Sequence, residues 1–309
     1  MATSGLYTLG LTTNDLIDQS YDLLQIGQQG ETLTGDFYNR ATRTLNVMLK
    51  TWEAQGIHLW TMEEGTLFLA IGQSEYPFST SKVANTYYET TTDAAEAIGQ
   101  TVISITSTSN MVVGQIIGLV DEDNDLFWST ISSFVTDTTV TIANALTTAV
   151  PSGNEVYFYS NTFKPCNRVL SVRRKEGTTY EVPINFISRD EYMSLPNKST
   201  QGYPIQAYYD RKETTGTMFL WNAPSSAVPV IRFTYERKMQ ILDASTNTFD
   251  LPEYWFEAII WNLAKRLIPI YGCDASRKLD IKEMAKDTLD DALGFDTDVY
   301  PIKVMMGNN

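Results

Sequence analysis

The chain has 309 residues, of which 43% are hydrophobic and only 19% charged; 23 Lys+Arg stand against 37 Asp+Glu for a net charge of -14, with one His and two Cys. That length corresponds to roughly two domains of about 150 residues. A single histidine excludes any site built from two imidazoles. Cys166 and Cys273 alone exclude a zinc ribbon, a four-cysteine iron–sulfur cluster and a disulfide-dense secreted scaffold.

The acidic balance argues against a general nucleic-acid binder, whose footprint is basic. It suits a surface that DNA passes without adhering. An average globular protein is about 25% charged. Here Ser, Thr, Asn, Gln, Gly and Tyr take the place of charges, which lowers the desolvation cost of protein–protein contact. No run reaches 18 apolar residues, and Met1–Gly10 lacks a basic region followed by an apolar run. Neither a membrane span nor a secretory leader is expected.

Thr12-Thr13-Asn14-Asp15 reads as a helix N-cap, followed by Leu16, Ile17, Ser20, Tyr21, Leu23 and Leu24 at helical spacing. Thr34-Gly35-Asp36 opens a second helix with a buried face of Phe37, Ala41, Thr44, Leu45, Met48, Leu49 and Trp52, closed by Gly56. From Ile57 the period changes, and Thr66–Ile71 reads as a strand. Short strands then recur at Val102–Ile105, Val112–Leu119, Leu126–Ile131, Thr139–Ile142 and Glu155–Tyr159, an inserted all-β module. Strands resume at Asn167–Arg174, Tyr180–Pro183, Tyr203–Tyr209, Thr217–Trp221 and Val230–Arg237, with a helical turn at Ser188–Tyr192. Leu251-Pro252-Glu253 starts a helix with Trp255, Ile259, Leu263 and Leu267 on one face. A last helix, about Asp274 to Leu293, carries Leu279, Ala285, Leu289 and Leu293 inward and Lys278, Lys282 and Lys286 outward.

These readings predict an α+β fold: N- and C-terminal helices forming a bundle, an antiparallel β region between them, and an inserted small all-β domain. The expected domains are 1–65 with 250–295 (helical), 66–92 with 161–249 (antiparallel β), 93–160 (inserted β) and 296–309 (a tail that a partner orders).

Chemistry is sparse. There is no Gly-x-Ser-x-Gly, phosphate loop or dinucleotide fingerprint, and Gly114-Gln115-Ile116-Ile117-Gly118 sits in a strand-like run. Asp121, Glu122, Asp123 and Asp125 read as a solvated turn, with a bound Ca²⁺ or Mg²⁺ as the alternative. The lone His58 reads as a structural or interface residue. No carboxylate pair is singled out, so a polysaccharide-binding or hydrolysing protein stands only as an alternative. No enzyme activity and no cofactor are expected. Arg168, Arg173, Arg174, Lys175, Arg211, Lys212, Arg232, Arg237 and Lys238 gather base in the second β region. They read as a mixed-charge sheet face, or more sharply as a contact for an acidic neighbouring subunit or passing DNA.

Asn14-Asp15-Leu16-Ile17, Asp36 to Trp52, and Leu49-Lys50-Thr51-Trp52-Glu53-Ala54-Gln55-Gly56-Ile57 resemble the N-terminal region of head-to-tail adaptor proteins of tailed bacteriophages, also called head-completion, packaged-DNA stabilisation or tail tubular proteins. Ser188–Tyr192, Gly202-Tyr203-Pro204, Tyr208–Arg211, Leu220–Pro224, Leu251–Trp255, Asn262-Leu263-Ala264 and Tyr271-Gly272 resemble larger connector-type proteins in the same order. The block from about Asp93 to Ser160 departs from the smaller members. The resemblance implies a helical bundle docked beneath the portal ring at the head–tail junction of a virion, typically in twelve copies. Its implied partners are the portal, tail or nozzle proteins, and packaged double-stranded DNA passing without sequence-specific binding. The role would be mechanical, with a tail nozzle or tail-tube protein as the runner-up. The candidate interface residues are Trp52, His58, Trp60, Arg173, Arg174, Arg211, Tyr254, Trp255, Tyr300, Met305 and Met306.

Overall fold

The computed structural model describes residues 9–26, 33–56, 61–78, 82–160, 163–164, 166–177, 179–212, 215–242 and 251–295. Its helices are α1 (Thr13–Leu23), α2 (Gly35–Ala54), α3 (Arg189–Ser194), α4 (Phe256–Tyr271) and α5 (Ala275–Phe295). Its strands are β1 (Met62–Phe68), β2 (Glu75–Pro77), β3 (Val83–Ala84), β4 (Tyr88–Thr91), β5 (Val102–Ser104), β6 (Ile116–Val120), β7 (Leu126–Val135), β8 (Thr139–Ile142), β9 (Glu155–Tyr159), β10 (Cys166–Glu176), β11 (Tyr180–Phe186), β12 (Gln201–Gly202), β13 (Gln206–Asp210), β14 (Thr217–Trp221), β15 (Ala223–Pro224) and β16 (Val230–Arg237). Two compact units result: one from residues up to 60 and from Met239 onward, the other from Thr61–Lys238. The division falls at 60/61 and 238/239, where the sequence placed it at 65/66 and 249/250, because β1 starts earlier than its apolar run and residues 239–242 attach to α2.

In the helical unit, the Thr12 hydroxyl caps the backbone of Asp15, and the Asp15 carboxylate accepts from the Thr12 amide at 2.7 Å, a reciprocal capping box. Gly56, at φ 91°, follows the C-cap of α2, a left-handed position that favours glycine. Leu16, Ile17 and Tyr21 of α1, Leu45, Met48, Leu49 and Trp52 of α2, and Ile259, Leu263 and Leu267 of α4 share one core with Trp255. Tyr21 stands edge-on to Phe37 and Tyr271 at 5.5 Å from each, while those two rings stack at 5.3 Å. Asn46 both donates to and accepts from the backbone of Leu242, at 2.8 and 2.9 Å, and Lys50 reaches the Met239 carbonyl at 2.7 Å. These bonds pin the returning chain to α2. The buried Asn262 amide donates to Ala258 in its own helix and to Ala285 of α5, at 2.9 and 2.8 Å, tying α4 to α5. Of the four residues expected inward on α5, Ala285 is buried and Leu289 packs against the core, while Leu279 is 67% exposed and Leu293 lies outward; Ile281, Thr288 and Ala292 complete the buried face.

The second unit holds an eight-stranded sheet of order β2-β14-β13-β11-β10-β16-β1-β3. It is antiparallel except for β11–β13, a parallel pair at Asn185↔Gln206 and Phe186↔Ala207. A purely antiparallel region was expected. The short helix α3, capped by Ser188 with Glu191, supplies the crossover that a parallel pair requires. A two-residue parallel pair, β12–β15, lies apart from it.

The inserted module is a six-stranded sheet of order β4-β9-β6-β7-β8-β5. Its two edges meet: Thr92 bridges Ile105, the Asp93 amide donates to Ser104 at 3.0 Å, and the Thr106 amide donates to Thr91 at 2.9 Å. The sheet therefore closes into a small barrel around Ile103, Ile117, Leu119, Ile131, Val140, Ile142, Val156 and Phe158, which removes exposed edges. It begins at Tyr88, a few residues before the expected boundary at 93.

Phe68 of β1 joins barrel to sheet. Its ring lies 5.2–5.4 Å from Tyr87, Trp128, Tyr157 and Tyr159, stacked on the last. Glycines make room for rings elsewhere. A Cβ on Gly65 would sit 2.5 Å from the buried Phe233 ring on the neighbouring strand. Gly65→Ala is expected to cost about 1–3 kcal/mol by overpacking, measured as a lowered urea midpoint with unchanged slope.

Candidate functional site

The basic cluster is the first place where chemistry was expected. Arg173 of β10 and Arg232 of β16 are direct cross-strand partners, a like-charge pair that destabilises unless neutralised. Glu64 of β1 bonds both guanidinium groups, and Glu181 of β11 reaches Arg173 at 2.7 Å and Arg232 at 3.3 Å. The result is a quartet of alternating charge with no net sign. Arg168 grips Glu236 through two bonds of 2.8 and 2.7 Å, and Arg237, itself buried, reaches Glu63 at 2.8 Å beside Lys164 at 2.7 Å. Arg174 bonds Glu176 at 2.6 Å and lies over the Tyr203 ring at 4.5 Å. Arg211 donates to Asn167 at 2.6 Å, and Lys212 faces Asp210 at 3.8 Å. These arginines and lysines thus have acidic, amide or aromatic partners within their own chain, while Arg168 and Lys212 keep more than half of their side chains exposed.

Trp52 and Trp255, read as interface candidates, face each other in the helical core with ring centroids 5.5 Å apart; they are 3% and 0% exposed. Helical spacing put both on the apolar stripe, and that stripe is spent on the chain's own packing. Tyr254 instead points outward, its ring 4.7 Å from that of Phe295. His58, Trp60, Tyr300, Met305 and Met306 lie outside the described residues.

The acidic turn closes on itself. One oxygen of Asp121 accepts from the amides of Asp123 and Asp125 at 3.0 and 2.9 Å, and Asn124 takes φ 60°. Among the described residues, no group of three or more His, Cys, Asp or Glu is placed to hold a metal.

Between barrel and sheet runs a cleft of about 360 Å³. Glu89, Thr91, Glu155 and Tyr157 share one face of the β4–β9 pair. Lys175 crosses from β10, 3.0 Å from the Tyr87 hydroxyl and 3.7 Å from Glu89. The Tyr157 hydroxyl donates to Glu155. Burial first, then that carboxylate, push the Tyr157 phenol far above its ordinary range. Each carboxylate is engaged, and Val228 and Val230 line the cleft beside these polar groups.

The helical unit carries a feature that the sequence reading missed. Leu9, Leu11, Leu23, Tyr254, Ile260 and Trp261 form an apolar groove of about 650 Å³, with Asp22, Glu253 and Glu257 along it. The signal was present in Ile260-Trp261, two large apolar residues just off the Ile259 stripe of α4.

The two thiols differ. Burial pushes Cys166 up to about 12, whereas Cys273 is only half-buried. At pH 8 a pKa of 12 leaves about one thiolate in 10⁴. One thiol per native chain is therefore expected to react rapidly with a disulfide reagent at pH 8, and two after denaturation. Because the folded pKa is the higher one, the stabilisation from keeping Cys166 protonated is complete below the unfolded value near 9 and is lost as pH rises towards about 12.

No family model matches the chain, and no curated protein matches it.

Proposed function

We propose that this chain is a structural virion protein, a head-to-tail adaptor of a tailed bacteriophage. In this reading copies form a ring beneath the portal, extend the DNA channel, help retain packaged DNA and offer the tail its attachment surface. The observation that carries the reading is the helical unit. Helices from both ends of the chain share one core, and the whole of Thr61–Lys238 is strung between α2 and α4. That is the arrangement the resembling segments imply, in the order in which they occur.

Charge supports the same reading. The clustered arginines are satisfied by Glu64, Glu181, Glu236 and Glu63, while the chain keeps its net -14. A twelve-copy ring would multiply that acidity twelvefold, and an acidic wall repels phosphates rather than gripping them.

The test is rate-zonal sedimentation of the purified protein with the portal ring of the same phage. Co-migration in fixed ratio, surviving moderate salt, is expected. Failure to co-migrate at any ratio overturns the reading, and binding to a tail component alone would point to the nozzle role.

A further inference from the structure

Two surfaces on opposite sides of the helical unit match each other. The first is the apolar groove, where Tyr254, Glu257 and Trp261 succeed one another at i, i+3 and i+7. The side chains of Asp22 and Glu257 there have no hydrogen-bond or ion-pair partner among the described residues, whereas Glu253 accepts from the Leu9 amide at 2.8 Å. The second surface is the outward face of α5. Leu279, Lys282 and Lys286 repeat the i, i+3, i+7 spacing, all three exposed, and Leu293 extends the face by one heptad. Neither ammonium has a partner among the described residues, and like charges four apart on a helix repel. Asp290 is the single acid on this face.

The α5 face cannot turn onto the groove of its own chain. Phe295 packs 4.7 Å from Tyr254, so its side of α5 borders the groove. At about 100° per residue, Leu279, Lys282, Lys286 and Leu293 sit roughly 140–180° round the helix from Phe295. We propose that the groove seats the α5 face of a second copy of this chain, with Leu279 against Leu23, Ile260 and Trp261, and Lys282 and Lys286 toward Glu257 and Asp22. This is an amphipathic helix laid in a groove, anchored at i, i+3 and i+7. Opposite charges fix its register. Because each copy carries both surfaces on opposite sides, the contact is heterologous and repeats from copy to copy. It supplies the lateral contact that the adaptor ring needs and rests on that reading for its purpose, but its test uses this chain alone. Failure here and failure to bind a portal are therefore separate results.

The experiment places the photocrosslinker p-benzoylphenylalanine at position 279 of the full chain, in a concentrated mixture of unlabelled and ¹⁵N-labelled protein. Cross-links from position 279 to peptides containing Glu253–Trp261 or Gln19–Leu23, joining light to heavy chains, are expected. Cross-links confined to one isotopic form, cross-links to other peptides such as α5 itself, or none at all overturn the proposal. Lys282→Glu and Glu257→Lys are each expected to lower the yield severalfold, and the two combined in one chain to restore it. Undiminished yields in the single variants, or a combined variant as poor as either, contradict the pairing. Leu279, Lys282 and Glu257 are exposed, so an unchanged circular dichroism spectrum separates loss of contact from loss of folding.

Discussion

Trp255→Ala lowers the stability of the helical unit by about 3–5 kcal/mol, the range for deleting a large buried ring. Trp255 is fully buried against Trp52, in a core shared by α1, α2 and α4. The indole cannot be replaced by sliding neighbours, because Ile259 and Leu263 are fixed on the same helix face. Urea unfolding followed at 222 nm checks it, since α1, α2, α4 and α5 lie in this unit. A loss below about 1 kcal/mol, the range of ordinary surface substitutions, would contradict the packing described.

Phe68→Ala is expected to cost a similar amount, about 3–5 kcal/mol, and to loosen the barrel from the eight-stranded sheet. Four aromatic rings surround Phe68 at 5.2–5.4 Å. Near-UV circular dichroism should fall because Trp128, Tyr157 and Tyr159 lose a fixed neighbour. Arg173→Ala is the control: a partly exposed ion pair is worth only about 0–1 kcal/mol, so it should change the urea midpoint far less. Equal losses for Phe68→Ala and Arg173→Ala would mean that charge, not aromatic packing, holds this unit together.

The helices were legible because their signals are local. Thr12 with Asp15, Gly56, and the Trp255–Ile259–Leu263–Leu267 stripe each lie within a few turns of the chain. The strands of the barrel were legible for the same reason. Its closure was not, because it hangs on a bridge between Thr92 and Ile105 and two flanking bonds, which no period announces. The parallel β11–β13 pair was hidden likewise, since direction is set by the α3 crossover rather than by composition.

The candidate surfaces were less legible than the fold. The arginine cluster looked available because Glu64 lies 109 positions before Arg173 and 168 before Arg232. Only sheet order brings them together. Trp52 and Trp255 were offered to a partner because large aromatics suit interfaces and cores alike, and burial alone separates the two uses. Tyr254, one residue from Trp255, turned out to be the outward aromatic, and it marks the groove that the sequence did not announce.

The proposed adaptor role requires copies of this chain to assemble as a ring on a portal. Electron microscopy of the purified protein mixed with its portal ring tests it most directly. The expected image is an added collar sharing the portal's axis, with a continuous central channel, formed by copies of this chain. Portal rings without added density, with the chain remaining monomeric in the background at saturating concentration, would contradict it.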